Sequence, residues 1–451
     1  MRPHYVAIVG SGPSGYFAAA SLLKLADAEA PMDVHVDMLE MLPTPWGLVR
    51  SGVAPDHPKI KSISAQFEKT AAHPRFRFFG NIAVGEHVHA HELAERYDAV
   101  VYAVGAQSDK PLRIPGEDLA GSVAAVELVG WYNAHPHFEK MAPNLSGARA
   151  IVVGNGNVAL DVARILVTDP DELRSTDIAD HALEVLDPRG VEEVVIIGRR
   201  GPLQATFTTL ELRELGDLKG LEGVDVIVDP ADVDISDEEV EAAGKTQRNN
   251  LKVLRGYAEN EPTPGNRRIV FKFRTSPIEI RGDGLVEEVV LGRNELAADE
   301  NGRVVAKDTG VREELPAQLV VRAVGYRGVP TPGLPFDEQT GTIPHTDGRV
   351  QGSRNEYVVG WIKRGPTGVI GSNKSDSQHT VDTLAADLAD APHDEGYAGE
   401  LLEWLLSRQP KLITDEHWQL IDRHERSTGE PHGRPRVKLA SVADMLRIGH
   451  R

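Results

Sequence analysis

Cysteine is absent from this 451-residue sequence. Its absence excludes disulfide bonds, thiolate metal sites, cysteine-ligated iron–sulfur clusters and any C-x-x-C redox motif. A disulfide or thioredoxin reductase, which needs a redox-active cysteine pair, is excluded for the same reason.

Long apolar runs are also missing. No stretch approaches the roughly 20 apolar residues that span a bilayer. The first apolar segment is too short and too interrupted by glycine to be a signal peptide. We therefore expect a soluble cytoplasmic protein with no membrane insertion.

Basic residues are outnumbered by acidic ones, 49 to 68, which gives a formal charge of −19. This balance argues against general binding to nucleic acid or to anionic membranes, although it allows a local basic patch for an acidic partner protein. The chain is too long for one ordinary hydrophobic core, so we expect two domains or one large interrupted domain.

The first forty residues have the pattern strand, glycine turn, helix, strand and acid. A short apolar strand over 5–9 stops at Gly10, and Gly10, Gly12 and Gly15 form a G-x-G-x-x-G motif before an alanine-rich helix. Such glycines allow a tight turn, a close approach of the backbone to a pyrophosphate and close helix–strand packing. The motif alone also occurs by chance or in linkers, but the flanking strand, helix and acid favour a dinucleotide site.

Glu40 follows the next apolar strand, 34–39. A carboxylate there can accept hydrogen bonds from both ribose hydroxyls and repels a 2′-phosphate, which predicts FAD or NAD rather than NADP. The Pro- and Gly-rich loop after it contains Trp46, Arg50 and His57. Its position beside the ribose site makes a functional loop about as plausible as a plain surface loop.

A second glycine motif follows an apolar strand over 151–153. Gly154, Gly156 and Ala159 give G-x-G-x-x-A ahead of a helix. Alanine in place of the third glycine is common in NADP sites and slightly loosens the packing of helix on strand. This region is therefore predicted to be a second dinucleotide site.

The next strand, 194–197, ends in Gly198-Arg199-Arg200 instead of an acid. Two arginines suit a 2′-phosphate because each guanidinium offers charge and a planar pair of donors; a solvated charged turn is the alternative. A helix is predicted over 202–215, with Glu211 and Glu214 on one face. That pair could equally be an ordinary solvated helix face.

Three later regions complete the organisation. Residues 253–305 have the pattern of strands joined by charged turns, which predicts a run of antiparallel strands. The run 319–325 repeats the buried strand-to-glycine pattern of 97–105 and is predicted to return the chain to the first domain. In 357–384 a strand ends at Gly360, and Trp361 and further glycines precede a helix over 375–384. The backbone there could approach a flavin edge, although Trp361 could instead be a buried structural residue.

With these motifs, the sequence resembles the NADPH–ferredoxin reductases of the adrenodoxin-reductase type, particularly the actinobacterial members, over nearly its full length. The most specific pieces are PTPWGLVRSGVAPDHPKIK (43–61), GNGNVALDVARIL (154–166), GRRGPLQATFTTLELREL (198–215) and GWIKRGPTGVIGSNKSDSQ (360–378). The resemblance implies an α/β fold of two Rossmann-like domains, as in glutathione reductase. The FAD-binding domain would comprise 1–108 and 325–451, and the NADP-binding domain 109–324.

The resemblance also implies the site residues. The predicted FAD contacts, beside the glycines of the first motif, are Ser14, Glu40, Leu48, Val84, Trp361, Gly368, Val369 and Ile370. The predicted NADP contacts are Lys110, which departs from an arginine of the family pattern, and Asn155, Gly156, Asn157, Val158, Arg199, Arg200 and Glu211. The residues expected to line the nicotinamide–flavin region and to help move protons are His57, Glu211 and Glu214. No metal constellation is found, and the alternating His87, His89 and His91 lack a fourth ligand, so we expect them to be solvated.

The activity implied is hydride transfer from NADPH to FAD, followed by single-electron transfer to a ferredoxin, a small acidic iron–sulfur protein. We expect a basic docking surface, formed by Arg50, Lys59, Lys61, Arg423, Arg426, Arg434, Arg436 and Lys438. Two alternatives remain at this stage: a flavin-dependent monooxygenase, and a non-catalytic flavin sensor or electron-transfer subunit.

Overall fold

The computed structural model describes residues 3–27, 32–217, 223–368, 370–390 and 400–451. The chain divides into two units, Met1–Ser108 with Tyr326–Arg451, and Asp109–Gly325. In chain order the strands are β1 (His4–Val9), β2 (Val34–Leu39), β3 (Phe76–Gly80), β4 (Ala99–Tyr102), β5 (Ser108–Asp109), β6 (Ser122–Ala124), β7 (Arg149–Val153), β8 (Glu193–Gly198), β9 (Val224–Val228), β10 (Arg267–Phe273), β11 (Thr275–Arg281), β12 (Glu288–Ala298), β13 (Val304–Pro316), β14 (Leu319–Arg322), β15 (Tyr326–Arg327), β16 (His345–Thr346), β17 (Arg349–Val350), β18 (Glu356–Val358) and β19 (Ile413–Thr414).

The helices are α1 (Pro13–Ala26), α2 (Leu48–Ser51), α3 (Pro58–Lys61), α4 (Ser64–Ala71), α5 (Ala90–Arg96), α6 (Ala125–Tyr132), α7 (Asn157–Val167), α8 (Pro170–Leu173), α9 (Asp180–Leu186), α10 (Thr209–Asp217), α11 (Pro230–Val233), α12 (Asp237–Ala242), α13 (Lys245–Tyr257), α14 (Trp361–Arg364), α15 (Ile370–Asp390), α16 (Leu401–Arg408), α17 (Asp415–Gly429) and α18 (Val442–Gly449). Short 3₁₀ turns occur at Pro136–Phe138, Pro202–Gln204 and Glu430–His432. Among the described residues, no helix is both long and apolar enough to cross a membrane.

The first unit is built on a sheet with the strand order β16-β17-β18-β4-β1-β2-β3-β19. Its five central strands, β18 to β3 in that order, run parallel. The central strand β1 alternates between two cores: Val6 and Ile8 pack on the side of α1 and α15, and Ala7 and Val9 pack on the other side. Because both faces are covered, the strand is apolar at nearly every position.

The second unit contains a parallel sheet with the order β6-β14-β7-β8-β10-β9. A three-stranded antiparallel sheet, β11-β12-β13, packs on one face through an apolar cluster that includes Ile151, Ile197 and Leu291. The two parallel sheets confirm the predicted α/β class with two Rossmann-like units. The strand prediction over 253–305 was wrong at its start, because Lys245–Tyr257 is a helix.

Two helix predictions also need correction. The segment 202–215 is not one helix: a 3₁₀ turn ends at Gln204, and α10 begins only at Thr209. The intervening backbone is diverted because the amides of Thr206 and Thr208 donate to the backbone oxygen of Asn155, at 3.0 Å, and to Oδ1 of Asn157, at 2.8 Å. The helix predicted over 375–384 is longer, since α15 spans 21 residues.

Candidate functional sites in the two units

The first glycine turn connects β1 to α1. Gly10 has φ +103°, and a Cβ there would lie 2.5 Å from the backbone oxygen of Ala103; a Cβ on Gly15 would lie 2.2 Å from the oxygen of Gly10. A Cβ on Gly12, by contrast, would meet nothing within 4 Å. Gly12 is also the N-cap of α1 and provides no side-chain cap. The turn therefore leaves open space next to unsubstituted backbone at a helix N-terminus, which fits a pyrophosphate.

The carboxylate of Glu40 is bound to this same turn. Its Oε2 accepts hydrogen bonds from the amide of Ser11, at 3.0 Å, and from the Ser11 hydroxyl, at 2.6 Å. Its Oε1 accepts one bond, at 3.1 Å, from the amide of Leu42. Ser11 was missed by sequence reasoning; its side chain is buried and joins the acid to the glycine turn.

The loop after Glu40 lies against the glycine turn. The Trp46 amide donates to the oxygen of Ser11 at 3.1 Å, and a Cβ on Gly47 would lie 2.9 Å from Cα of Gly12. Leu48 begins α2 and is partly exposed, whereas His57 is buried at the N-cap of α3. These contacts favour a functional role for the loop over the alternative of a plain surface loop.

The segment after β18 also reaches the first motif. A Cβ on Gly360 would lie 2.2 Å from Oγ of Ser14, and the Ser377 hydroxyl donates to the Ser14 oxygen at 3.0 Å. Trp361 stacks on Tyr326, with ring centroids 5.5 Å apart. The buried indole nitrogen of Trp361 has no hydrogen-bond acceptor among the described residues. An unpaired buried donor beside an open glycine turn fits the presence of a bound polar ligand.

The remaining predicted contacts in the first unit are spread more widely. Gly368 has φ +82°, and Ile370 begins α15 and packs on the apolar core. Val369 lies outside the described residues. Val84 forms an isolated bridge with Val88 and packs against the core on the face opposite α1.

The second glycine turn connects β7 to α7 and follows the same plan. Gly154 has φ +132°, and a Cβ there would lie 2.2 Å from the oxygen of Ala323. Gly156 is the N-cap of α7 without a side-chain cap, and Asn157 and Val158 form its first turn. A Cβ on Gly156 would lie 3.1 Å from the Thr206 hydroxyl. Ala159 is completely buried, so the methyl group that replaces the third glycine is accommodated.

The arginine corner, defined here as Arg199, Arg200 and Arg274, lies at the end of β8. Arg199 is exposed and Arg200 is partly exposed. Within the described ranges, neither guanidinium has a hydrogen bond or ion pair. The backbone oxygen of Arg199 accepts from the side-chain amide of Asn294, and that of Arg200 from the backbone amide of Arg274. Arg274 was missed by sequence reasoning; its Nε would lie 3.9 Å from a Cβ on Gly201. Cationic side chains without acidic partners fit an anionic ligand.

The other residues predicted in the second unit differ in exposure. Glu211 is buried and Glu214 is partly buried, both on α10, so the solvated-face alternative fails. Lys110 is exposed, and its amide donates to the oxygen of Gly325 at 3.1 Å, just beyond the end of β14. In the part of the chain that the structure describes, no contact joins its side chain to the glycine turn.

The predicted basic docking surface requires correction. Arg50, Arg436 and Lys438 are buried, and the two arginines are paired with Glu425. Arg426 is exposed but pairs with Glu68. The three buried cations therefore cannot belong to the predicted surface, and the charge of Arg426 is partly neutralised by Glu68.

The histidine prediction was only partly right. His87 is held between the amide of Ala83, at 2.9 Å, and the side chain of Gln409. His89 caps α5 and stacks with His91. His87 is therefore structural rather than simply solvated.

Comparisons with known proteins agree with this geometry. The family model described as pyridine nucleotide-disulphide oxidoreductase matches residues 4–250. The NADPH-ferredoxin reductase FprA of Mycobacterium tuberculosis is 71% identical over 100% of both chains. The mitochondrial NADPH:adrenodoxin oxidoreductase of Arabidopsis thaliana is 40% identical over 99% of this chain and 95% of its own.

A solved structure, M. tuberculosis FprA in complex with NADPH, matches over 100% of both chains with a TM-score of 0.97 and 70% identity. The predicted family, enzyme class and fold are confirmed by these matches. The chain therefore belongs to the pyridine nucleotide-disulphide oxidoreductase family and, within it, to the NADPH-ferredoxin reductases.

Proposed function

We propose that the NADPH–ferredoxin reductase activity of this chain is divided between its two units, with FAD bound by the first and NADPH by the second. The observation that supports this division is the contrast at the ends of β2 and β8. Glu40 is a buried acid bound to its glycine turn, whereas Arg199 and Arg200 are cations without acidic partners. An acid disfavours binding of a 2′-phosphate, whereas two adjacent arginines favour it.

In the first unit, Gly12 and the α1 N-terminus would hold the pyrophosphate of FAD. Among the described residues, Oε1 of Glu40 accepts one hydrogen bond, which leaves it capacity for a ribose hydroxyl. Leu48, Val84, Gly368 and Ile370 complete the proposed FAD contacts within the described residues, and a contact from Val369 stays a prediction. When bound, the flavin supplies the chemistry that converts a hydride into single electrons.

In the second unit, the turn over 155–158 would hold the NADPH pyrophosphate, and the guanidinium groups of Arg199 and Arg200 the 2′-phosphate. Lys110 remains a proposed peripheral contact.

His57, Glu211 and Glu214 are proposed to line the reacting region and to hold or move protons. His57 and Glu211 are buried and Glu214 is partly buried, which supports a role shielded from bulk water.

The partner is proposed to be a cytoplasmic ferredoxin with an acidic surface. Lys59 and Arg423 are the exposed cations that remain from the predicted docking set. If opposite charges steer the encounter, ferredoxin reduction should slow as ionic strength rises. A rate unaffected by salt between low and physiological ionic strength would contradict this part of the proposal.

The activity can be tested with the purified flavoprotein, NADPH, a purified ferredoxin and a cytochrome as electron acceptor. NADH is run in parallel. We expect cytochrome reduction that depends on ferredoxin and is much faster with NADPH. Substrate-stimulated oxygen consumption without ferredoxin-dependent turnover would instead support a monooxygenase.

A further inference from the structure

A buried ion cluster ties the C-terminal segment to the loop at the first glycine turn. The Glu425 side chain on α17 is completely buried and accepts two hydrogen bonds from the guanidinium of Arg50, at 2.8 and 2.5 Å. Arg436 donates to the same carboxylate at 3.1 Å, and the Leu439 amide donates at 2.9 Å. The carboxylate is therefore fully engaged, and its main partner is 375 residues away in the sequence.

Further contacts join the same two segments. The Lys438 ammonium donates to the backbone oxygen of Arg50 at 2.9 Å. The Trp418 ring meets Trp46 edge-on, with centroids 5.2 Å apart, and the Arg436 guanidinium lies 5.3 Å above Trp46. The C-terminal segment therefore holds the Trp46 ring and both the backbone and the side chain of Arg50, the two ends of the 46–50 loop.

The opposite side of this loop is fixed to the glycine turn. The amide of Trp46 donates to the Ser11 oxygen, and Gly47 packs on the Gly12 backbone. On α2, Arg50 is buried toward Glu425, whereas Leu48 is partly exposed. A movement of Arg50 would therefore displace the residues that border the open space at Gly12.

We propose that Glu425 is a positioning residue for FAD, acting through Arg50 to hold the 46–50 loop at the pyrophosphate turn. This inference rests on the proposed binding of FAD by the first unit. The C-terminal segment is then part of the cofactor site, although none of its residues belongs to a nucleotide-binding motif. Breaking a buried, bidentate ion pair releases both the loop and an uncompensated charge.

The test compares three variants of the full chain. Glu425→Gln removes the carboxylate charge, and Arg50→Lys keeps a cation but loses the bidentate pairing. Asp422→Asn is the matched control: it makes the same acid-to-amide change on α17 and weakens an ion pair with Arg436, at 2.7 Å, but leaves the Arg50–Glu425 pair in place. The measurements are the dissociation constant for FAD added to apoprotein and the visible circular dichroism of bound flavin, both well below the unfolding temperature.

We expect FAD affinity to fall about tenfold in Glu425→Gln and about threefold in Arg50→Lys, and to stay near wild type in Asp422→Asn. The flavin circular dichroism should change in the first two variants, and the affinity for 2′,5′-ADP should not change in any. If Glu425→Gln does not fold, Arg50→Lys decides. FAD retention in Arg50→Lys equal to that of the control would overturn the inference, whereas failure of the wild type to bind FAD would overturn the proposed function itself.

Discussion

The two glycine turns share a backbone plan but end in opposite chemistry. In each, the first glycine adopts a positive φ against the backbone of a neighbouring strand end, at Ala103 and at Ala323. In each, the second glycine caps a helix without a side-chain cap. At the end of β2, the buried acid Glu40 is hydrogen-bonded to its own glycine turn. At the end of β8, the arginine corner has no acidic partners among the described residues.

The supporting loops also differ. The loop beside the first turn is held by a distant C-terminal segment through a buried ion cluster. The loop beside the second turn is held locally, by the backbone of Asn155 and the side chain of Asn157. On the proposed assignment, the same glycine turn serves two nucleotides: the residues at the end of β2 or β8 select the nucleotide, and the supporting loop keeps the turn rigid.

The largest expected effect separates the roles of two glycines in the first turn. Gly12→Ala adds a methyl group to empty space, so we expect normal thermal stability but a loss of FAD affinity of roughly 3 kcal/mol, about a hundredfold. Gly15→Ala forces a methyl group against the Gly10 oxygen, and thermal unfolding should show a loss of roughly 2–3 kcal/mol. Normal FAD binding by Gly12→Ala would contradict the assignment of this turn.

The next largest effect concerns the arginine corner alone. Arg199→Ala should weaken NADPH binding by about 2 kcal/mol, roughly thirtyfold, with little change for NADH, because only NADPH carries the 2′-phosphate. Fluorescence titration of each nucleotide measures this difference. Equal losses for the two nucleotides would point to a folding defect rather than to phosphate recognition.

A pH experiment tests the ion cluster that holds the loop beside the first glycine turn. Burial alone would raise the pKa of Glu425, but the charges of Arg50 and Arg436 outweigh it and hold the pKa below the ordinary value. The ion cluster therefore contributes stability above pH about 4.3, the unfolded value, and loses it as the pH falls through the lower folded value.

The expected contribution is about 1.4 kcal/mol for each unit of pKa difference. Thermal unfolding of wild type and Glu425→Gln between pH 7 and pH 3 should show a gap that narrows toward acid. A gap that is constant over this range would mean that Glu425 does not titrate as part of the cluster.

The smallest expected effect concerns Arg274. Its position beside Gly201 makes it a third cation of the arginine corner, but its distance from Arg199 in sequence gives it no motif. Arg274→Ala should weaken NADPH binding by about 0.7 kcal/mol, roughly threefold, in the same titration. A loss as large as that of Arg199→Ala would make Arg274 a principal phosphate ligand.

The sequence predicted the parts of the fold that depend on local pattern. The strands and glycines around Gly10 and Gly154, the acid at residue 40 and the arginines at 199–200 all lie within short, ordered motifs. Their positions follow from the way a parallel sheet places the ends of neighbouring strands at one edge.

The missed features depend on contacts between segments that are distant in sequence. Arg50, Arg436 and Lys438 look like parts of a basic surface in the sequence. In the structure the two arginines pair with the buried carboxylate of Glu425, and Lys438 donates to the backbone oxygen of Arg50. The helix predicted over 202–215 is interrupted because Asn155 and Asn157 capture backbone groups of the loop. Arg274 reaches the corner only through the pairing of β10 with β8.

The most direct test of the central claim is a calorimetric titration of the FAD-loaded protein with 2′,5′-ADP and with ADP. The wild type should bind 2′,5′-ADP much more tightly, and the Arg199→Ala, Arg200→Ala double variant should lose that preference while retaining FAD. Equal affinity of the wild type for the two nucleotides, or loss of FAD from the double variant, would contradict the assignment of opposite specificities to Glu40 and to the arginine corner.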